Sequence, residues 1–204
     1  MPDTVNIALI DDDAAVLDSL QQYLSRQGVN VTCFASAEAF LTNSAELAKL
    51  DCIVADVRMP GLSGLQLVER LGSSVPIIVI TGHGDVDMAV AAIKLGAFDF
   101  IEKPFDESRL LESVRSAFRA RRKSQETAAH VADIMTRIES LSERQRQVLD
   151  LAVTGLSNKE IGARLGISPK TVEIHRAWMM ERMEARNLAE LIRMEMKSRS
   201  GSQE

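Results

Sequence analysis

The sequence predicts an α/β domain with a doubly wound, five-stranded parallel sheet, followed by a helical linker and an all-α domain of four helices. Up to about Arg122, short apolar runs alternate with amphipathic helical stretches. Beyond Arg122 no strand pattern returns, and the last third contains explicit helix boundaries. With 204 residues and 46% apolar content, the chain can bury one core of ordinary size and a smaller second one.

The strand candidates of the first part are short, apolar and evenly spaced. They lie at Asn6–Ile10, Val29–Phe34, Cys52–Ala55, Ile77–Thr81 and Phe98–Glu102. Several are apolar on both faces, as in the interior of a parallel sheet that helices cover on both sides. Helical patterns occupy the intervals, at Ala14–Gln27, Ala37–Leu41, Leu65–Leu71, Val86–Leu95 and Ser108–Arg122. Five successive strand–helix units predict a doubly wound fold.

The segment 124–140 is polar apart from one apolar stripe at helical spacing, which predicts a helical linker. The stripe consists of Val131, Ile134, Met135, Ile138 and Leu141. It could dock on the preceding domain or pair with a second subunit, because both arrangements would bury the same side chains. We therefore expect domains at 1–123 and 141–204, joined by the linker 124–140.

Capping signals delimit the helices of the last third. Ser142 with Gln145 and Ser157 with Glu160 fit capping boxes, and a proline follows Ser168 at a first helical position. Gly155 and Gly166 stand where a left-handed helix end favours glycine. The predicted helices are Ser142–Thr154, Asn158–Leu165, Pro169–Ala185 and Leu188–Arg199.

Charge and composition narrow the setting in which the protein works. Residues 1–123 carry 12 basic and 17 acidic side chains, whereas residues 141–204 carry 11 basic and 9 acidic ones. Only the second part is thus suited to approach a polyanion. No apolar run reaches the ~20 residues of a membrane span, and Met1–Asn6 does not look like a signal peptide, so we expect a cytoplasmic protein with no membrane partner. Cys33 and Cys52 lack metal-ligand spacing and are expected to be reduced packing residues.

Polar residues stand at the ends of four predicted strands. Asp11 and Asp12 follow the first, Asp56 follows the third, Thr81 ends the fourth, and Lys103 follows the fifth. Because parallel strands end at one edge of the sheet, these groups should converge there. Clustered carboxylates favour Mg²⁺, and lysine and threonine can hold phosphoryl oxygens. A lone aspartate after a strand is usually a turn or cap residue, but the whole set predicts phosphoryl transfer to a carboxylate nucleophile.

The set and its surroundings resemble the receiver domain of two-component response regulators, over roughly the first 120 residues. The stretches Asp56-Val57-Arg58-Met59-Pro60-Gly61 and Thr81-Gly82-His83-Gly84-Asp85 are similar to the FixJ subgroup in particular. The resemblance implies a flavodoxin-like fold in which Asp56 is the phospho-acceptor. We interpret His83 as a surface or lid residue rather than a catalytic one.

The resemblance also implies a role for each residue around Asp56. Asp12 and Asp56 would ligate Mg²⁺ directly with the backbone carbonyl of Arg58, and Asp11 would reach it mainly through water. Two further residues would contact the phosphoryl oxygens, namely Thr81 and Lys103. Phe100 matches the aromatic residue that changes burial when the threonine moves, and the Lys103–Pro104 peptide would be cis.

A short helix, a Gly-Ile-Ser-Pro turn and a second helix have the spacing of a helix-turn-helix. On a wheel of ~100° per residue, one side of the second helix should pack inward with Val172, and it carries His175, Arg176, Met179 and Met183. The opposite side should face a DNA groove, and it carries Lys170, Glu173, Ile174, Ala177 and Glu181. Lysine, glutamate and apolar side chains can read base edges. Candidate phosphate contacts are Lys159, Arg164, Thr171 and Arg176.

Periodicity alone would equally suit an ordinary solvated helix face, but a second resemblance favours DNA. Leu141-Ser142-Glu143-Arg144-Gln145, Gly155–Ile161 and Ser168–His175 resemble the LuxR/FixJ-type four-helix DNA-binding domain, over about Leu141–Arg199. In that family the third helix enters the major groove and the fourth helps to form the dimer.

Together the resemblances imply a phosphorylation-controlled transcriptional regulator rather than an enzyme. A sensor histidine kinase would phosphorylate Asp56, the face Val86–Phe100 would then form a homodimer, and the dimer would bind double-stranded promoter DNA, with RNA polymerase as a further partner. The alternatives are an acid-anhydride phosphatase that uses the same aspartate and Mg²⁺, and a passive phosphate sink or partner-binding module. Absence of DNA retention at low salt would favour either alternative.

Overall fold

The computed structural model describes residues 4–43, 49–82 and 86–201. The chain divides into two compact units, Met1–Lys123 and Ser124–Glu204. Within the described ranges, no helix combines the length and the apolar character that a membrane crossing requires.

The first unit alternates strands and helices, as the sequence predicts. Its strands are β1 Val5–Ile10, β2 Val29–Phe34, β3 Cys52–Asp56, β4 Ile77–Thr81 and β5 Asp99–Glu102. The helices that follow them are α1 Ala14–Arg26, α2 Ala37–Thr42, α3 Gly64–Leu71, α4 Val86–Lys94 and α5 Glu107–Glu139. Apart from the length of α5, these bounds agree with the predicted ones to within one residue.

The strands form one parallel sheet in the order β2-β1-β3-β4-β5, which confirms the doubly wound fold. Alternate strand residues point to opposite faces and enter separate cores. One core packs β-strand side chains against α1 and α5, through residues such as Leu20, Leu24, Leu110 and Val114. The other packs them against α2, α3 and α4, through residues such as Phe40, Leu67, Val68 and Ala92.

Both cysteines belong to the sheet. Cys52 is fully buried in β3, Cys33 is half-buried in β2, and both are free thiols. Burial raises the pKa of each thiol, which keeps it protonated and unreactive. They therefore act as packing residues, as the sequence predicts.

Helix α5 is longer than predicted, because the last helix of the first unit and the helical linker form one uninterrupted helix. Its middle part, residues 122–130, is exposed at every position. Near its end, Ile134 is only 1% exposed and packs in the core of the second unit, together with Leu141 and the half-buried Ile138. The linker stripe thus has a partner within the second unit, which was neither of the two alternatives that the sequence left open.

The second unit adds α6 Glu143–Val153, α7 Asn158–Leu165, α8 Pro169–Arg182 and α9 Leu188–Gly201. Both capping boxes, the Ser168 cap and the positive φ of Gly155 and Gly166 are confirmed. Its core includes Val148, Leu149, Ile161, Val172, Met179, Met183 and Leu191.

The predicted end of α8 at Ala185 is wrong by three residues. The helix stops at Arg182, and Glu184 has a positive φ of 51°. Arg137 of α5 donates to the carbonyl oxygen of Met183 at 3.2 Å and pairs with the Glu184 carboxylate at 2.8 Å. The Arg137 side chain thus provides a hydrogen-bond partner for a backbone carbonyl at the end of α8, so the helix can end here without a further turn.

Candidate functional site

The predicted polar residues converge at the carboxyl edge of the sheet. Asp11 follows β1, Asp56 ends β3 and Thr81 ends β4, and all three are buried. Lys103 follows β5, and its backbone N–H donates to the Thr81 carbonyl oxygen at 2.7 Å. The parallel register of neighbouring strands brings these residues to one rim, as the sequence predicts.

Lys103 joins the two buried carboxylates. Its Nζ lies 2.8 Å from Oδ1 of Asp56 and 3.0 Å from Oδ2 of Asp11. The other oxygen of Asp56, Oδ2, accepts the backbone N–H of Arg58 at 2.7 Å. The Lys103–Pro104 peptide is cis, which confirms that expectation. The Asp56 carboxylate is thus held by one donor on each oxygen.

Burial and hydrogen bonding shift the pKa values of two groups at the rim, Asp11 and Lys103. Burial raises the pKa of Asp11, although the Asp13 N–H and the Lys103 ammonium both act to lower it. Burial also acts to lower the pKa of Lys103, but its hydrogen bonds to Asp56 and Asp11 outweigh that effect and raise it. Lys103 therefore keeps its positive charge, whereas the raised pKa of Asp11 makes this carboxyl easier to protonate than an exposed aspartate.

The other two aspartates of the first loop differ from Asp11. Asp12 is exposed, and Asp13 caps α1 by accepting the Ala15 N–H at 2.9 Å. In the part of the chain that the structure describes, no group of three His, Cys, Asp or Glu side chains is arranged as a metal site. Even so, the Asp11 and Asp56 carboxylates meet at the Lys103 ammonium, and Asp12 directly follows Asp11. Such an oxygen-rich, negatively charged set fits Mg²⁺. His83 and the rest of 83–85 lie outside the described residues.

The α4 side of the first unit carries an exposed apolar surface. Phe100 of β5 is half-buried and packs against the core beneath α4. From α4 to the start of β5, several large apolar side chains are 38% to 79% exposed, namely Val86, Val90, Ile93, Leu95 and Phe98. We call these five residues the α4 face. A surface of this kind is typical of a contact with another protein.

Helices α7 and α8 form the predicted helix-turn-helix. A side-chain carbon added at Gly162 would lie 2.6 Å from the Ile167 carbonyl oxygen, so only glycine allows the turn between the helices to lie so close to α7. Val172, Met179 and Met183 are fully buried, and His175 and Arg176 are half-buried. The opposite side is exposed, with Lys170, Glu173, Ile174, Ala177 and Glu181. The predicted division of α8 into an inner and an outer side is confirmed.

Several side chains of this candidate DNA interface bond to other side chains of the protein. The Nζ of Lys170 lies 2.9 Å from Oε2 of Glu173, so the two predicted base-reading residues pair with each other. Arg176 donates to the Asn158 side chain and thereby ties α8 to the start of α7. The hydroxyl of the half-buried Thr171 lies 2.8 Å from that of Ser168. The remaining candidates for phosphate contact, Lys159 and Arg164, are exposed.

Sequence reasoning missed Trp178, the only tryptophan of the chain. It is 53% exposed on α8, and its ring meets that of His175 edge to face at 5.8 Å. On the helical wheel it follows Ile174 by four residues and borders the outer side of α8. That position was the signal that could have identified it.

Comparison with known proteins identifies both units. Residues 7–115 match the response regulator receiver domain, and residues 139–195 match the bacterial regulatory proteins of the luxR family. The chain therefore belongs to the two-component response regulators that join a receiver domain to a luxR-type regulatory domain, a family of transcriptional regulators rather than of enzymes. A receiver domain implies a histidine kinase partner, and the luxR-type domain implies binding to DNA.

The chain resembles particular members of that family over nearly its whole length. It is 46% identical to the transcriptional regulatory protein FixJ of Bradyrhizobium diazoefficiens over 196 residues, which cover 95% of each chain. The structure of the response regulator StyR matches with a TM-score of 0.80 and 35% identity, covering 96% of this chain and 100% of that one. Full-length FixJ from B. japonicum matches with a TM-score of 0.57 and 45% identity, covering 97% and 99%.

Proposed function

We propose that this protein accepts a phosphoryl group on Asp56 from a sensor histidine kinase, and that phosphorylation promotes a homodimer that binds promoter DNA. The observation that carries the proposal is the Lys103 bridge between Asp56 and Asp11. An ammonium at this place can hold an oxygen of a phosphoryl group beside the Asp56 carboxylate. The proposed parts are a receiver at 1–123, a linker at 124–140 and a DNA-binding domain at 141–204.

The transfer forms one bond and breaks another. A carboxylate oxygen of Asp56 attacks the phosphorus atom of a phosphohistidine, the P–N bond breaks, and an acyl phosphate forms. The Arg58 N–H and the Lys103 ammonium donate to the two oxygens of the Asp56 carboxylate and hold it in place. After transfer, Lys103 and the Thr81 hydroxyl would hold phosphoryl oxygens, and Phe100 would change its burial.

Receiver domains bind Mg²⁺ at the phosphorylation site, and the donor set at this rim fits that ion. Asp12, Asp56 and the backbone carbonyl of Arg58 would hold it directly, and Asp11 mainly through water. When bound, the ion supplies positive charge that neutralises the phosphoryl oxygens. The same charge would favour ionised Asp11, whose pKa burial raises.

Dimerisation would use the α4 face. Val86, Val90 and Ile93 follow one another at helical spacing, so their side chains form one exposed stripe. A symmetric pairing of this stripe with its copy would bury it. Two α8 helices would then reach one DNA molecule, and the second would bind at a high effective concentration. RNA polymerase as a further partner and a cytoplasmic location complete the proposal.

The test is phosphorylation of the full chain by acetyl phosphate and Mg²⁺. Asp56→Asn is expected to take up no label, because it removes the nucleophile. Asp13→Asn is a matched control at the same rim, because asparagine also caps a helix and should leave labelling unchanged. Equal labelling of Asp56→Asn and the original protein would refute the assignment.

The same samples test the output. Phosphorylated protein should sediment as a dimer and bind duplex DNA with an affinity that falls steeply with salt, by a log–log slope of roughly 0.9 for each phosphate contact. Labelling without any DNA binding at low salt would point to a phosphate sink instead.

A further inference from the structure

Trp178 lies beside a cleft in the second unit. The cleft has a volume of about 580 Å³ and is lined by Ser140, Ser142, Gln145, Trp178, Glu181 and Arg182. We call it the Trp178 cleft. One wall comes from the second half of α8, and the other comes from the turn between α5 and α6 together with the first turn of α6. The cleft is thus formed by several elements of the luxR-type domain and not by a single loop.

The cleft continues the surface that α8 is proposed to place in the major groove. At a rise of about 1.5 Å per residue, Trp178 stands roughly 6 Å beyond Ile174 along the helix and borders the same outer side. A helix in the major groove has a sugar–phosphate backbone on each flank. With α8 in the groove as proposed, the flank that carries Trp178 and Arg182 would face one of these backbones.

The chemistry of the lining matches a sugar and a phosphate. The indole ring offers a flat apolar face and an N–H that only donates. The Ser142 hydroxyl accepts the Gln145 N–H and keeps its own O–H as a donor, whereas the Ser140 hydroxyl donates to the Arg137 carbonyl oxygen. The Arg182 guanidinium has five N–H donors, of which one is directed at the Ser140 carbonyl oxygen at 2.6 Å. This bond orients the guanidinium at the cleft.

We propose that the Trp178 cleft holds a sugar–phosphate unit of the DNA backbone. The indole ring packs on a deoxyribose, and Arg182 with the Ser142 hydroxyl donates to the adjoining phosphate. Glu181 lines the same cleft, and its carboxylate repels that phosphate and lowers affinity. This inference rests on the proposed DNA binding and adds a backbone contact to the base-reading side of α8.

The single tryptophan makes the contact directly measurable in the full chain. A duplex enriched from a random DNA pool is added to the phosphorylated protein, and quenching of Trp178 emission by acrylamide is measured. We expect the quenching constant to fall to roughly half or less, because a contact that excludes water also excludes a small quencher. Acrylamide is neutral, so the charge of the DNA does not repel it as it would iodide.

Substitutions test the energetic part of the proposal. Trp178→Ala is expected to weaken binding about tenfold, the loss from truncating a contact worth about 1.4 kcal/mol. Met135→Ala is the matched control, because Met135 is 37% exposed on α5 and does not line the cleft. Glu181→Gln is expected to strengthen binding by about two- to fivefold, as removal of an exposed repulsive charge does.

Salt dependence tests the phosphate contact separately. Arg182→Gln should make the log–log salt slope shallower by about 0.9, the contribution of one phosphate contact. Arg186→Gln removes a nearby exposed arginine that does not line the cleft, and its slope should stay unchanged.

The outcomes separate this inference from the proposed function. Anisotropy of the labelled duplex reports DNA binding independently of Trp178. If the duplex does not bind at all, the proposed function fails. If the duplex binds while acrylamide reaches Trp178 as before and Trp178→Ala binds normally, DNA binding stands and the backbone contact is refuted.

Discussion

Replacing Ile134 by alanine tests whether the end of α5 is part of the DNA-binding domain. Ile134 is 1% exposed and packs in the core of the second unit, although it lies before the luxR-family match that begins at residue 139. The same end of α5 holds α8 through the Arg137 contacts to Met183 and Glu184. Because Ile134 packs in this core, the change is expected to destabilise the helical unit.

The expected loss follows from what the substitution removes. Ile134→Ala deletes three side-chain carbons, each worth about 0.8 kcal/mol of transfer free energy, and leaves a cavity. Such changes cost about 2–5 kcal/mol. We expect the lower end, about 2 kcal/mol, because the exposed segment 122–130 precedes this turn of α5 and lets it relax. For a domain of this size, that corresponds to a fall in Tm of about 8–16 °C.

The assay is thermal unfolding of the full chain, followed by the emission of Trp178. The only tryptophan lies in the second unit, so its signal follows that unit rather than the receiver. Met135→Ala is the control, because this neighbour is 37% exposed and should shift Tm little. If the two variants unfold at the same temperature, the end of α5 contributes nothing to the core and the reasoning is wrong.

Three further predictions concern the receiver. Lys103→Ala should be phosphorylated by acetyl phosphate yet form less dimer by sedimentation, because the ammonium reports the phosphoryl group; a dimer fraction equal to the original would contradict this. Val90→Asp places an unpaired charge on the α4 face and should weaken phosphorylation-induced dimerisation about tenfold or more, whereas Ala91→Asp, on another exposed side of α4, should not. Asp11→Asn should stabilise the metal-free receiver at neutral pH. Because burial raises the folded-state pKa of Asp11, the folded state binds the proton more tightly than the unfolded state does, so stability is lost as pH rises from the ordinary value of 3.8 through that raised pKa. Urea unfolding of both proteins across this range should show the advantage of asparagine grow with pH, and a constant difference would exclude the pKa explanation.

The packing of Ile134 also matters for the choice of a fragment of the DNA-binding domain. A fragment that starts at Ser140 lacks Ile134 and Arg137 and therefore has an incomplete core. A fragment that starts at Val131 keeps both. Whether the receiver restrains or only dimerises the DNA-binding domain is best tested with the longer fragment, because weak DNA binding by the shorter one could reflect instability alone.

Much of the receiver site could be predicted from the sequence, for a topological reason. Asp11, Asp56, Thr81 and Lys103 each follow or end a strand, and parallel strands end at one edge, so their convergence needed no knowledge of side-chain packing. The helix caps of the second unit were equally predictable, because a cap bonds to a backbone group only two or three residues away.

Side-chain pairing could not be predicted in the same way. Lys170 and Glu173 occupy the outer side of α8 as expected, but their ion pair depends on rotamers that the sequence does not specify. Arg176 stays a candidate for phosphate contact, but the sequence did not predict the bond from its guanidinium to Asn158, eighteen residues earlier. Helix periodicity predicts the direction in which a side chain points, but it does not predict which distant group that side chain contacts.

The sequence by itself therefore determined the order of the elements, the rim of the receiver and the inner and outer sides of α8. Those features follow from strand direction, helical period and local capping. Only the tertiary structure decided that Ile134 is covered by the helical unit and that Trp178 borders a cleft with Arg182 and the α5–α6 turn. The physical reason is that burial and cavity shape depend on which surfaces approach one another, and the approach is set by packing across elements far apart in the chain.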